Sequence, residues 1–200
     1  DSSAEYLTKA IDDSLSRLGT EYVDLWQIHR PDILTHPQEI ARTIEDAHKA
    51  GKIRAFGVSN FTTAQITTLA QFSSVPIVST QPELSPLRID TIENGELDQA
   101  IAMDLAVLAW SPLGGGRIGD PGDAREQNVA AALSDVAAAH GVSRTAAAYS
   151  WIMAHPARPI PIVGSQNPAR ITEAADAFKI TWTRADYYSV LVAARGVPLP

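Results

Sequence analysis

Cysteine is absent from all 200 residues. That excludes disulfide staples, thiolate metal centres and cysteine nucleophiles, and nothing in the chain asks for an oxidising compartment. No apolar run approaches the roughly 20 residues that a bilayer-spanning helix needs. The opening residues, DSSAEYLTKA, have neither the charged start nor the apolar stretch of a secretion signal. Positive charge is also scarce: 16 Lys and Arg stand against 23 Asp and Glu, for a net charge of −7, and the basic residues do not cluster. This argues against nucleic acid and against an anionic lipid surface as partners. A cytoplasmic location away from membranes is therefore expected. His36, His48, His140 and His155 show no HExxH or paired spacing, so no metal site is expected. GGGRIGD is not a phosphate-binding P-loop, because no Gly-Lys-Ser/Thr follows it.

What is present reads as one globular domain over 1–200, with 45% hydrophobic and 20% charged residues. Helical and strand patterns alternate along it. Ser2 with Glu5 forms a capping box, Leu7, Ile11, Leu15 and Leu18 fall at helical spacing, and Gly19 is placed to end that helix. YVDLWQIH then reads as a strand. Pro37 opens a helix with Ile40, Ile44 and Ala47 on one face, Gly51 stops it, and IRAFGVSN is the next strand. The pattern continues through TTAQITTLAQF, PIVSTQ, NGELDQAIAMD, LAVLAW, two Ala-rich helices over about 125–155, and RPIPIVG. Helices after NPARITEAADAF and after Thr183 complete the series.

Such alternation predicts a parallel sheet in an α/β domain. Two architectures compete. About five strands can be read, enough for a doubly wound open sheet, whereas a (β/α)8 barrel needs eight strands and typically ~250 residues. By strand number the open sheet wins, and a barrel has to be a partial one. The strand ends favour the barrel. Val23, Leu25, Gln27 and His29 share a face by alternation, so that face turns from apolar to polar toward the C-terminal end. FGVSN ends in Ser59 and Asn60, VSTQ ends in Gln81, and LAW runs through Trp110 and Ser111 into glycines. Polar residues gathered at the C-terminal ends of consecutive parallel strands are the layout of a barrel active site.

SLSRLGTEYVDLWQIHRPD, GKIRAFGVSNF, STQPELSPL, LAWSPLGGG and IPIVGSQNPARI resemble, in order, successive motifs of the aldo-keto reductase superfamily, nearest to its bacterial oxidoreductases. The resemblance covers nearly the whole chain and corresponds to the C-terminal two thirds of the family's barrel. It implies a (β/α)8 TIM barrel, present here as a partial barrel of about five β/α units, that binds NAD(P)H and reduces aldehydes and ketones by hydride transfer.

Residue by residue, the resemblance makes His29 the active-site histidine that orients and polarises the substrate carbonyl. Ser59, Asn60 and Gln81 match the positions that hydrogen-bond the nicotinamide carboxamide. Trp110 matches the aromatic residue stacked on the nicotinamide, and Ser111, Leu113 and Gly114 lie in the pyrophosphate-side loop. Gly164, Ser165 and Arg170 match the site of the adenosine 2′-phosphate. NADP(H) is therefore the expected cofactor. NAD(H) stays open, because many relatives have lysine where Gly164 stands and asparagine where Ala174 stands. A small-molecule carbonyl compound is the expected partner; its identity and the oligomeric state are not legible.

The chain also departs from the family. The family's catalytic aspartate, tyrosine and lysine belong to βα units that precede the helix with which this chain opens, and Tyr6 and Tyr22 lie on the wrong elements to replace the acid. The chain starts at Asp1 without Met. The expectation is that an N-terminal segment is missing and that these 200 residues alone are inactive. The alternative is a non-catalytic, nucleotide-binding or regulatory protein of the same fold.

Overall fold

The first strand runs over Val23–Ile28 (β1), so His29 follows its last residue. The computed structural model describes residues 1–199, which pack as two compact units. The first contains Asp1–Gln81 with Gln99–Ala106, and the second Pro82–Asp98 with the residues from Val107 onward.

In the first unit, helix α1 (Ala4–Leu18) precedes β1, α2 (Pro37–Lys49) leads to β2 (Ile53–Ser59), and α3 (Thr63–Phe72) leads to β3 (Ile77–Gln81). The strands are parallel in the order β1-β2-β3. Each helix ends where its local chemistry dictates. Gly19 leaves α1 in the left-handed conformation at φ 66°, and Gly51 does the same after α2 at φ 73°. Pro37 is the first residue of α2, where its missing N–H costs no hydrogen bond. Thr62 and Gln65 cap α3 reciprocally.

Two local expectations for α1 are corrected. Its cap is Ser3, whose hydroxyl accepts from the Tyr6 N–H at 3.4 Å, so Glu5 sits one position too early to close a capping box. Ser2 is instead buried, and its N–H donates to Asp32 Oδ2 at 2.8 Å. Leu7, Ile11 and Leu15 are buried as expected, but Leu18, in the last turn, is 67% exposed.

Phe56 and Val58 of β2 are fully buried, as are Ile44 of α2 and Ile66 and Leu69 of α3. On the other face the register sets Val23 beside Ile53, Leu25 beside Ala55 and Gln27 beside Gly57. Gly57 then pairs with Ser79, and Ser59 with Gln81, after a register shift between Phe56 and Gly57. The irregularity brings backbones close. A Cβ on Gly57 would stand 1.9 Å from Ser79 Oγ and 2.8 Å from the Ser79 carbonyl oxygen, so only glycine fits.

The second unit holds α4 (Asp90–Glu93), most of β4 (Ala106–Ala109), α6 (Ala124–His140), α7 (Arg144–Met153), β5 (Ile160–Pro161), α8 (Pro168–Ala174) and α9 (Arg184–Arg195); α5 (Glu96–Ala102) lies between α4 and β4 in the chain. β4 and β5 are parallel, with Leu108 beside Ile160. The strand read in RPIPIVG shrinks to two residues because Pro159 and Pro161 bring no N–H to the ladder. The Ile162 N–H still reaches the Ala109 carbonyl at 3.0 Å. The core here joins Val129 and Leu133 of α6, Trp151 and Ile152 of α7, and Val190 of α9. Trp151 stacks on Tyr187 at 4.9 Å, and its indole N–H donates to the Tyr187 carbonyl at 3.1 Å. Ala146, Ala147 and Ala148, all fully buried, keep α7 slim enough for close helix packing.

Candidate active site

In the first unit, the polar side chains of three consecutive strands meet at their C-terminal ends. Ser59 closes β2 and Gln81 closes β3, and these two residues are register partners. The Ser59 hydroxyl, buried, donates to the Gln81 carbonyl at 2.8 Å. Asn60 follows in the left-handed conformation at φ 59°, which turns the chain out of the strand. Its backbone N–H also donates to the Gln81 carbonyl, at 3.2 Å. Its side-chain Nδ2 donates to Ser59 Oγ at 3.0 Å and to the His29 carbonyl at 3.2 Å. His29 is thereby tied by its backbone to the Ser59–Asn60 turn, while the residue is exposed.

The loop after His29 is also held. Asp32 accepts from the Leu34 N–H at 3.0 Å, the Ser2 N–H at 2.8 Å and the Thr35 hydroxyl at 3.0 Å. These donors, the Leu34 N–H first, keep its carboxyl below the usual aspartate range. The ionised Asp32 thus fixes the RPD segment beside His29.

Two further residues belong to the same surface: Gln27, which alternation sets on the His29 face, and Ser79, which the sequence motifs do not single out. Gln27 Nε2 donates to Gln81 Oε1 at 2.9 Å, and the Ser79 hydroxyl donates to Gln27 Oε1 at 2.9 Å. Alternation signals both, since Gln27 precedes His29 by two positions and Ser79 precedes Gln81 by two.

In the second unit, Trp110 follows β4 and is half-buried. Its N–H donates to the Pro82 carbonyl at 3.1 Å, and its carbonyl accepts from the Leu84 N–H at 3.3 Å. Ser111 is left-handed at φ 52°, and Gly114, Gly115 and Gly116 follow at φ 59°, 69° and 95°. The loop folds on itself. The Gly114 N–H donates to the Ser111 carbonyl, the Gly115 N–H to Ser111 Oγ and the Gly116 N–H to the Leu113 carbonyl. Glycine here serves the turn, and all three N–H groups have partners within the loop.

Arg117 and Glu126 fasten this segment. Arg117 Nε donates to the Gly114 carbonyl at 2.7 Å and Nη1 to Glu126 Oε1 at 2.8 Å, while the Gly122 N–H donates to Glu126 Oε2 at 2.7 Å. The Gly122 N–H first, then Arg117, hold the Glu126 carboxyl below its usual range against the opposing effect of burial. A lowered folded-state pKa means that this contribution to stability is complete above the ordinary glutamate range and is lost as pH falls through the folded value. Glu126→Gln should therefore lower the urea midpoint at neutral pH, with the gap to wild type narrowing under acid. Urea midpoints measured over a pH series check this; a pH-independent gap would mean that charge does not hold the loop.

Gly164, Ser165 and Arg170 lie where β5 leads into α8, but α8 begins only at Pro168. Asn167 caps it, its Oδ1 accepting from the Ala169 N–H at 2.9 Å, and Ser165 Oγ accepts from the Asn167 N–H at 3.1 Å. Arg170 is exposed and makes no salt bridge among the described residues. Among the described residues no helix is long and apolar enough to cross a membrane.

Comparison with known proteins identifies the family and the fold. The aldo/keto reductase family model matches residues 1–191. A 6-dehydroglucose reductase of Novosphingobium aromaticivorans is 62% identical over 200 residues, all of this chain and 66% of that protein. A 6-dehydroglucose reductase of Agrobacterium fabrum is 36% identical over 198 residues, 98% of this chain and 65% of that one. The chain thus spans just under two thirds of the length of these curated relatives. Among solved structures, a glycerol dehydrogenase of Gluconobacter oxydans superposes with a TM-score of 0.88 at 29% identity, over 100% of this chain and 67% of that one. The five β/α units are therefore those of a partial (β/α)8 barrel of aldo-keto reductase type, and the doubly wound sheet is excluded. This chain belongs to the aldo/keto reductase family.

Proposed function

We propose that this chain carries the cofactor-binding and histidine-bearing part of a cytoplasmic NAD(P)H-dependent oxidoreductase that reduces an aldehyde or ketone to an alcohol. The observation that carries this reading is the cluster of Ser59, Asn60 and Gln81 at the ends of β2 and β3, bonded to the His29 backbone. Its donor set fits a carboxamide. Gln81 Oε1 accepts from Gln27, which leaves Gln81 Nε2 as a donor for an amide oxygen. Bound NAD(P)H would supply the hydride. His29, exposed at the end of β1, donates a hydrogen bond to the carbonyl oxygen on which negative charge develops. In the second unit, Trp110 offers an aromatic face for a flat ring. Ser111, Leu113 and Gly114 take the pyrophosphate side through side-chain and van der Waals contact, and Gly164, Ser165 and Arg170 receive the 2′-phosphate.

Two relatives named 6-dehydroglucose reductase support a sugar aldehyde as the substrate. The test is the natural gene product containing these 200 residues, mixed with NADPH or NADH and a sugar aldehyde. Loss of reduced-nicotinamide absorbance with formation of the alcohol is expected. No consumption of either cofactor with sugar aldehydes or simple aldehydes would reject the reading.

A further inference from the structure

Gln27, Gly57 and Ser79 form one row across the three strands, and Ser59 and Gln81 form the next row toward the C-terminal ends. Because Gly57 has no side chain, Gln27 passes over it and meets Ser79 on the far strand. A Cβ on Gly57 would collide with Ser79 Oγ and with the Ser79 backbone, so only glycine leaves the Ser79 hydroxyl its place in this row.

The hydrogen bonds have a direction. Ser79 is only 1% exposed, and its hydroxyl proton goes to Gln27 Oε1. Turning the Gln27 amide round would leave that buried proton without this acceptor, which is costly. Gln27 therefore keeps Nε2 toward Gln81 and donates to Gln81 Oε1. Turning the Gln81 amide would then set two N–H donors against each other. The relay consequently ends in one defined way, with the Gln81 nitrogen available for a ligand acceptor.

We propose that Gln27 is a positioning residue, which with Ser79 fixes the polarity of the Gln81 amide and so selects a hydrogen-bond acceptor on the nicotinamide side of the cofactor. The inference rests on the reading of Gln81 as a carboxamide-binding residue. Gln27 touches no reacting atom; it acts through Gln81.

The experiment uses the natural gene product containing this chain, with Gln27→Leu, Gln27→Glu, Ser79→Ala and the Gln27→Leu/Ser79→Ala double variant. Dissociation constants are measured for NADPH and for 2′,5′-ADP, which has the adenosine end but no nicotinamide. Gln27→Leu should weaken NADPH roughly three- to tenfold, the span of one neutral hydrogen bond, and leave 2′,5′-ADP unchanged. Gln27→Glu should weaken NADPH at least as much, because a carboxylate only accepts and so draws the Gln81 nitrogen inward. Ser79→Ala, the gentler change, should have a smaller effect of the same kind. The double variant should match Gln27→Leu alone, since Ser79 acts through Gln27. Unchanged NADPH affinity in Gln27→Leu, or equal losses for both ligands in every variant, would overturn the proposal. A wild-type protein that binds 2′,5′-ADP but not NADPH would remove the reading of Gln81 itself, and the proposal with it.

Discussion

Purified by itself, the 200-residue chain is expected to oxidise NADPH with an aldehyde at least about 100-fold more slowly than the same residues joined to an N-terminal segment bearing the family's aspartate, tyrosine and lysine. Hydride delivery to a carbonyl leaves an alkoxide, and a positioned acid that protonates it typically contributes 10²–10⁴-fold. The tyrosines of the first unit do not fit that role. Tyr22 precedes β1, under the Arg54 guanidinium at 4.0 Å, whereas His29 follows the strand. Six strand residues separate them by roughly 20 Å. Tyr6 projects from α1 and is 52% exposed. In the second unit, burial pushes the Tyr187 hydroxyl well above its ordinary pKa, the wrong direction for a proton donor.

The segment can be taken from the Novosphingobium aromaticivorans relative, which is 62% identical to this chain but longer. Initial rates of NADPH consumption are compared at saturating cofactor and aldehyde. Comparable rates with and without the segment would place the acid within the 200 residues and end the reading of His29 as one member of a divided site. A slow chain that recovers with the segment would fit His29 as the polarising partner of an acid supplied by other elements.

What the sequence could tell about this region follows from the range of the forces involved. Strand alternation and helix spacing are local, so β1, β2 and β3 fall within YVDLWQIH, IRAFGVSN and PIVSTQ, and Ser59, Asn60 and Gln81 meet. Capping was misread by one residue because Ser2 and Ser3 are equivalent as local signals; a tertiary bond from the Ser2 N–H to Asp32 decides between them. The short β5 was legible in principle, since Pro159 and Pro161 remove two donors, but the apolar run obscured it. Alternation gives the faces of Gln27 and Ser79 but not their roles, for a different reason. Their roles depend on which residue of one strand lies beside which residue of the next, and the shift between Phe56 and Gly57 leaves no signature in any single strand. The triple glycine illustrates the converse: the resemblance sets this loop on the pyrophosphate side, whereas its N–H groups bond within the loop to Ser111 and Leu113.

The pyrophosphate is common to NADPH and NADH, so the proposed discrimination between them rests on Arg170 at the 2′-phosphate. Arg170→Ala should weaken NADPH by about tenfold and leave NADH nearly unchanged. A charge-assisted hydrogen bond to phosphate contributes about 1.5–3 kcal/mol, and each 1.4 kcal/mol is about tenfold in affinity. The lower end applies here, because Arg170 is exposed and its field is screened by salt. Screening also supplies a control: the preference for NADPH should shrink as ionic strength rises in wild type and should be flat in the variant. Gly164, with nothing within 4 Å of an added Cβ, leaves room for a phosphate but brings no charge. Gly164→Lys should therefore restore much of the NADPH preference in the Arg170→Ala background, since a lysine there adds a cation without a steric clash. Dissociation constants for both cofactors, titrated by tryptophan fluorescence at low and high salt, read out all of this. Equal losses for NADPH and NADH in Arg170→Ala would show that Arg170 does not contact the 2′-phosphate, and cofactor choice would then have to come from elsewhere in the fold.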